Sequence, residues 1–374
     1  MKKWIFIAIL LLVIVRALLP LAGEYAVNWY LGNKIAPYKG HISDFDLSLW
    51  RGAYEFENFV IEKKEETKND TPLLSIKHVD VSLAWRALFK GRILADLIID
   101  QAQINLIDSN QKENIQTGLE GNVNWQDVFI TLVPIDIESL KIQKSQIHFR
   151  NYDLAKPINV YLAAVDLSAT NINNTERVQT PAYSEINLTA KLQDKTSIHL
   201  RGRFDILSKI PAFDLSLIME DFDLTQINDL LKIYGPLTFT RGTLSLYSEM
   251  ATRETRVDGY IKPFFKGIDV VANQEVFANF KHFFNEVITA LGNLILRSNE
   301  KTVAFRVAID GPVNELSIST KDAFLSALKN AFTGDKIQEG LEGSISLKDV
   351  KKGQKPEASP EQKEKIENPV SDEQ

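Results

Sequence analysis

The sequence predicts a mainly β protein: an elongated, curled antiparallel sheet with a few helices and one N-terminal transmembrane helix. Three observations carry this expectation. One long apolar segment opens the chain, apolar and polar side chains alternate strictly in segment after segment beyond Tyr38, and helical periodicity is confined to a few stretches. The 374 residues accordingly divide into a transmembrane signal anchor at 1–23, a juxtamembrane helix at 24–37, one β-rich domain at 38–347 and a disordered tail at 348–374.

Trp4 to Val15 is uninterrupted apolar sequence and Ala17 to Ala22 extends it, close to the ~20 residues a spanning helix needs. Arg16 is the only charge inside, placed so that its stem can carry the guanidinium toward the headgroups. Lys2 and Lys3 flank the near side, so the positive-inside bias puts the N-terminus in the cytoplasm and the body outside. A cleaved signal peptide is the competing reading. Leu19-Pro20-Leu21-Ala22-Gly23 is a poor cleavage pattern, however, and Glu24 to Ala36 continues as helix until Pro37 stops it.

Beyond Tyr38 the strands announce themselves. Phe45, Leu47 and Leu49 alternate with Asp44, Asp46 and Ser48. Ile198, Leu200 and Phe204 oppose Ser197, His199, Arg201, Arg203 and Asp205. Phe213, Leu215, Leu217 and Met219 oppose Asp214, Ser216 and Glu220, and Val303, Phe305, Val307 and Ile309 oppose Thr302, Arg306 and Asp310. Ten weaker segments follow the same design: 55–63, 73–83, 92–100, 102–107, 135–143, 147–151, 158–170, 185–193, 237–249 and 256–266. Short polar turns link them, and so regular a run implies antiparallel pairing, because parallel neighbours need a crossover.

Helices interrupt this pattern. Trp85 to Phe89 and Trp125 to Val133 are short, and Asp223 is placed to cap Leu224 to Tyr234 before Gly235-Pro236. Gln274 to Leu296 is the longest in the body, with a broad apolar face, and Ser319 or Thr320 starts a last helix through Phe332. From Lys348 the chain is Lys, Glu, Pro and Gln without periodicity, the composition of a disordered tail. The weakest points of the body are the polar loops 63–71 and 176–183, the second a candidate seam near residue 180.

Composition narrows the function classes. With 44% hydrophobic and 25% charged residues the body can bury a large core, and a net charge of -6 with scattered basic residues leaves no footprint for nucleic acid. The chain has no cysteine, which removes disulfides, thiolate nucleophiles and cysteine metal sites together. His41, His78, His148, His199 and His282 show no helical pair of zinc-hydrolase spacing, and no phosphate-binding glycine loop or Gly-x-Ser-x-Gly elbow occurs. Asp44 and Asp46 share a face, but Phe-Asp-Leu recurs at 213–215 and 222–224, as expected when aspartate marks a wet face or a helix cap. No catalytic, cofactor or metal residues are therefore expected, and the protein reads as no enzyme.

Several motifs, in order, carry a resemblance: Glu24-Tyr25-Ala26-Val27-Asn28, Tyr38 to Trp50, Arg51-Gly52-Ala53-Tyr54, Ala84 to Gly91, Ile147-His148-Phe149-Arg150, Phe222-Asp223-Leu224-Thr225, Gly242 to Ser248 and Gly259-Tyr260-Ile261-Lys262-Pro263. Over roughly residues 15 to 335 the chain resembles a bacterial envelope family known as domain of unknown function 748, within the AsmA-like superfamily. None of these motifs is chemically diagnostic alone. The resemblance implies an AsmA-like β-groove, anchored by a single pass in the bacterial inner membrane with its body in the periplasm, and implicated in carrying phospholipid toward the outer membrane. The short tail departs from the family pattern and puts contact with the outer membrane in doubt.

Alternation alone leaves two solutions open: a closed sandwich whose core is structural, or a trough lined for a mobile apolar ligand. In the trough reading, acyl chains of membrane phospholipid lie along Phe45, Leu47, Leu49, Leu200, Phe204, Phe213, Leu215, Leu217, Leu244, Leu246, Phe305 and Val307. About fourteen strands at ~4.8 Å give a trough of roughly 65 Å, which implies work alongside other envelope proteins or in several copies. Gln274 to Leu296 is then a lid or membrane-contacting helix, or simply the closure of one sheet end. The alternative function is a non-transporting scaffold assisting outer-membrane protein assembly through a sheet edge.

Overall fold

The computed structural model describes residues 2–35, 38–48, 51–64, 71–85, 93–107, 135–152, 157–172, 183–205, 212–234, 237–253, 256–272, 302–304, 306–312 and 338–345. The expected helices at 125–133, 274–296 and 319–332 and the tail at 348–374 lie outside these residues, as does most of 85–89.

One helix opens the chain: α1 (Lys2–Asn33), 32 residues and about 48 Å long, passing through Pro20 without ending. Anchor and juxtamembrane stretches are thus one continuous rod. No helix of the described residues is long and apolar enough to cross a membrane. The side chains of Ala8, Ile9, Leu12 and Val15 are outside that set, and the expected span rests on the sequence from Trp4 to Ala22.

The strands are β1 (Tyr38–His41), β2 (Asp44–Ser48), β3 (Ala53–Lys63), β4 (Leu74–Leu83), β5 (Ile93–Ile107), β6 (Ile135–Asn151), β7 (Ile158–Ile172), β8 (Ser184–Leu192), β9 (Thr196–Asp205), β10 (Ala212–Asp223), β11 (Leu237–Arg253), β12 (Arg256–Ala272), β13 (Thr302–Ala304) and β14 (Val307–Pro312). They form a single 14-stranded sheet in nearly sequential order from β1 to β13, with β2 on β3 and β14 on β12. Hydrogen bonding continues from β7 to β8, so the sheet crosses the expected seam near residue 180. Between β10 and β11 a 3₁₀ turn (Leu224–Ile227) leads into α2 (Asn228–Tyr234), and Asp223 caps it as the sequence predicts, its carboxylate accepting from the Thr225 N–H at 3.0 Å.

Two expectations are corrected. The sheet is not wholly antiparallel: β5 and β6 run parallel, Ile93 opposite Ile135 through to Ile107 opposite Arg150. Residues 108–134 connect them, and a parallel pair needs a crossover of a dozen residues or more. The width also shrinks. β1 and β2 share the edge of β3, and β13 and β14 share the edge of β12. Twelve strand positions then give about 53 Å rather than 65.

Candidate functional site

Following partners from strand to strand traces one transverse row: Phe45, Phe56, Val79, Ile99, Ile142, Leu167, Leu188, Leu200, Leu217, Ser248, Ile261 and Val307. Directly paired residues share a face. Eleven of these twelve positions are apolar, so the greasy side of each strand joins that of its neighbour across the whole sheet. A second row runs parallel to it, from Leu47 and Tyr54 through Val81, Leu97 and Leu140 to Ile186, Leu215, Met250 and Ile309. The intervening row on the opposite face carries Asp46, Glu55, Asp80, Lys141, Asn187 and Arg201. The two sides differ in polarity over most of the sheet.

Strict alternation would not keep strands of 11 to 17 residues apolar on one side, because the strands change phase midway. Phe56 and Phe59 differ by an odd number of residues yet pack in one cluster, as do Ile99 and Ala102. Met219 and Phe222 do the same in the second cluster. Between the members of these pairs sit Asn58, Gln101 and Asp221, at φ +49°, +54° and +52°. A bulge with one residue at positive φ re-aims the chain, and Asn and Asp tolerate that conformation better than branched residues.

At the Gln101 and Asp221 bulges, and at a further one marked by Lys144 at φ +49°, a backbone N–H is accepted by a side chain from the next strand. Ser145 Oγ takes the Ala102 N–H, Asp166 Oδ1 that of Lys144 and Ser245 Oγ that of Asp221, all at 3.0 Å.

Of the residues expected to line the face, Phe45, Leu47, Leu200, Phe204, Phe213, Leu215, Leu217, Leu244, Leu246 and Val307 are all half-buried. Phe213 pairs with Phe204, while Leu244 and Leu246 pair with Phe222 and Met219, so the structure brings all ten onto one face. Leu49 and Phe305 lie outside the described residues. At one end the Phe45 ring fills the space over Gly23 of α1. Toward the other, Leu224, Ile227 and Leu231 cover part of the face beside Leu192 and Phe265, and α2 reaches back as far as β7.

The polar groups weighed for chemistry are dispersed. Asp44 and Asp46 each accept the N–H of the following residue, at 2.9 and 2.8 Å. His148 is buried between Asn159 and Gln146 and stacked on Tyr161, a satisfied core histidine. His78 meets Glu57 at 2.8 Å. His199 opens on the polar face into a cavity of about 420 Å³ beside Lys195, Glu220 and Asp221. Among the described residues no group of three or more His, Asp or Glu is placed to hold a metal ion.

Sequence reasoning missed a second buried assembly, on the other face of β11 and β12. There Tyr247, Glu249, Tyr260, Lys262 and Phe264 are buried rather than wet. A strap of residues 338–345 is fastened over them. Glu249 accepts from the Tyr260 hydroxyl at 2.6 Å and from the backbone N–H groups of Gly343 and Ser344 at 3.1 and 3.3 Å. The Glu342 N–H donates to the Tyr260 oxygen at 2.8 Å, and the Lys262 ammonium donates to the Gln338 carbonyl at 3.1 Å. Burial, followed by the Glu249 hydrogen bond, pushes the Tyr260 phenol well above its usual range; burial and Glu220 do the same for Tyr247. Burial pushes the Glu342 carboxyl up, but the Arg306 hydrogen bonds and charge, with Lys262, outweigh it and hold the group below the ordinary carboxylate value.

Compared with protein families and with curated proteins, the chain matches none.

Proposed function

We propose that this chain is an inner-membrane-anchored protein of the bacterial envelope, with its N-terminus in the cytoplasm, its body in the periplasm and the acyl chains of phospholipid held on the apolar face of an AsmA-like β-groove. In that role it contributes to lipid transport or to upkeep of the outer membrane, without catalysis or cofactor. The observation that carries the reading is the row from Phe45 to Val307, which keeps one apolar side through twelve strand positions. The motif resemblance and the apolar stretch Trp4 to Ala22 supply the compartment.

The mechanism is passive. Covering apolar surface is worth about 25 cal/mol per Å², or about 0.8 kcal/mol per methylene, so a sixteen-carbon chain gains up to about 13 kcal/mol wherever it lies along the row. Neighbouring positions are nearly equivalent, and movement between them costs little. The opposite face, with Arg201 and His199 exposed, gives a fatty chain no comparable gain.

The test is native mass spectrometry of the body, released from intact membranes by a protease site placed after Lys34 and never exposed to detergent. Phospholipid leaving with the body is the expected result. A well-folded but empty body overturns the reading and favours the scaffold for outer-membrane protein assembly.

A further inference from the structure

On the polar face of β11 and β12, the residues under the strap are positioned by the strands and not by the strap itself. The ladder pairs Ser245 with Phe264, Tyr247 with Lys262 and Glu249 with Tyr260, so the register of two strands sets three successive rungs of that face. Tyr247 meets Phe264 edge-on at 5.7 Å, and the Lys262 ammonium lies 5.4 Å from the centre of the Tyr260 ring. Arg306, directly before β14, brings its guanidinium to 4.7 Å from the same ring. With Lys266 further along β12, the face holds one buried carboxylate among three cations on an aromatic floor. Such a surface pairs with backbone N–H groups and acidic side chains.

The strap lies on this face as a ligand lies on a receptor. It forms no strand, and of residues 338–345 six are exposed and none is buried. Even Leu341 is 36% exposed, so apolar burial does little to hold the segment down. Charge does the holding: Glu339 meets the Lys266 ammonium at 2.7 Å, and Glu342 meets Arg306 at 3.0 Å and Lys262 at 3.5 Å. A glycine follows each glutamate, Gly340 at φ +103° and Gly343 at φ +64°, conformations that other residues adopt only under strain. The recognised pattern is therefore Glu-Gly-x-Glu-Gly, with the middle side chain pointing free.

We propose that the polar face of β11 and β12 is a docking site for an acidic segment of a partner protein, read as Glu-Gly-x-Glu-Gly, and that residues 338–345 occupy it as a tethered, displaceable stand-in. Exposed ion pairs are weak singly and screened by salt. The strap is thus released without unfolding the sheet. The site lies across the sheet from the apolar row, where Ser248 and Ile261 point, so a docked partner leaves that row uncovered and the proposal stands apart from lipid binding.

The probe is a fluorescent, end-capped peptide of residues 338–345, added to the full-length chain. In the wild type the chain's own strap competes: a tether presenting it at about 1 mM weakens a free peptide of about 0.1 mM affinity roughly 10-fold. Reversing the strap charges with Glu339→Lys and Glu342→Lys vacates the site, and peptide binding is expected to rise about 10-fold over wild type. It is expected to fall several-fold between about 0.1 and 1 M salt, to survive Leu341→Ala in the peptide, and to vanish when the peptide carries Glu339→Gln and Glu342→Gln. A charge-reversed chain that unfolds thermally like wild type yet binds the peptide no better, or binds the glutamine form equally, overturns the docking site. If the charge-reversed chain does not fold, hydrogen exchange of the wild type decides. Gly343 and Ser344 amides that exchange through a salt-sensitive opening of their own support the displaceable strap; amides that exchange only when the whole sheet opens overturn it.

Discussion

Leu217→Asp separates an open trough from a closed core. Leu217 sits mid-row between Leu200 and Ser248 and is half-buried. Replacing it removes about half of the 1.5–3 kcal/mol that full burial of a leucine provides, roughly 1 kcal/mol. Up to about 1 kcal/mol of strand preference goes with it. If water reaches the trough of the lipid-free protein, the new carboxylate stays hydrated and the loss ends near 2 kcal/mol. An acyl chain passing that point loses contact over about four methylenes, about 3 kcal/mol, or about 100-fold in affinity. Urea unfolding of the lipid-free protein and titration with a fluorescent phospholipid read the two effects separately. A stability loss above about 4 kcal/mol, the cost of charging a sealed core, would refute the trough, and so would unchanged lipid affinity.

The strap and the bulges give further expectations. Glu249→Gln removes the charge that gathers Tyr260, Gly343 and Ser344, worth about 1.5–3 kcal/mol; hydrogen exchange at Gly343 and Ser344 is expected to quicken about 10- to 100-fold, and unchanged exchange would show that the strap is held elsewhere. The Glu342 carboxyl is depressed in the fold, so its contribution is complete above the ordinary value of about 4.3 and fades as pH falls through the folded value. Acid therefore loosens the strap, and Glu342→Gln is expected to flatten that acid limb in exchange measurements. Tyr247 and Tyr260 are raised, so their contribution holds below about pH 10 and is lost at higher pH; ultraviolet titration should show two phenols ionising after the others. Asp221→Val places a branched residue at φ +52° and is expected to cost about 1–3 kcal/mol in thermal unfolding, against a few tenths for Asp221→Gly.

The strands were legible because each is a local pattern: β9 and β10 alternate within a dozen residues and need no distant partner to declare their faces. Their phase changes left a trace as well, two polar residues between two apolar ones, in Phe56-Glu57-Asn58-Phe59, Ile99-Asp100-Gln101-Ala102 and Met219-Glu220-Asp221-Phe222. Read as strand ends, such steps split β5 at Gln101 and β6 at Lys144, although the ladder runs through both. Parallel pairing of β5 with β6 was not legible, because it depends on where residues 108–134 carry the chain and not on either strand. The strap site was hidden for a similar reason. Glu249 and Lys262 stand at solvent positions of alternating strands, and only a segment some 75 to 95 residues further along buries them.

Photo-crosslinking from neighbouring positions of a single strand tests the central claim most directly. A photoreactive side chain at Leu200 points into the apolar row, and one at His199 or Arg201 points away from it. In cells fed radiolabelled acyl chains, crosslinked lipid is expected from Leu200, and equally from Leu217, but not from His199 or Arg201. Lipid recovered alike from both faces, or from neither, contradicts the account.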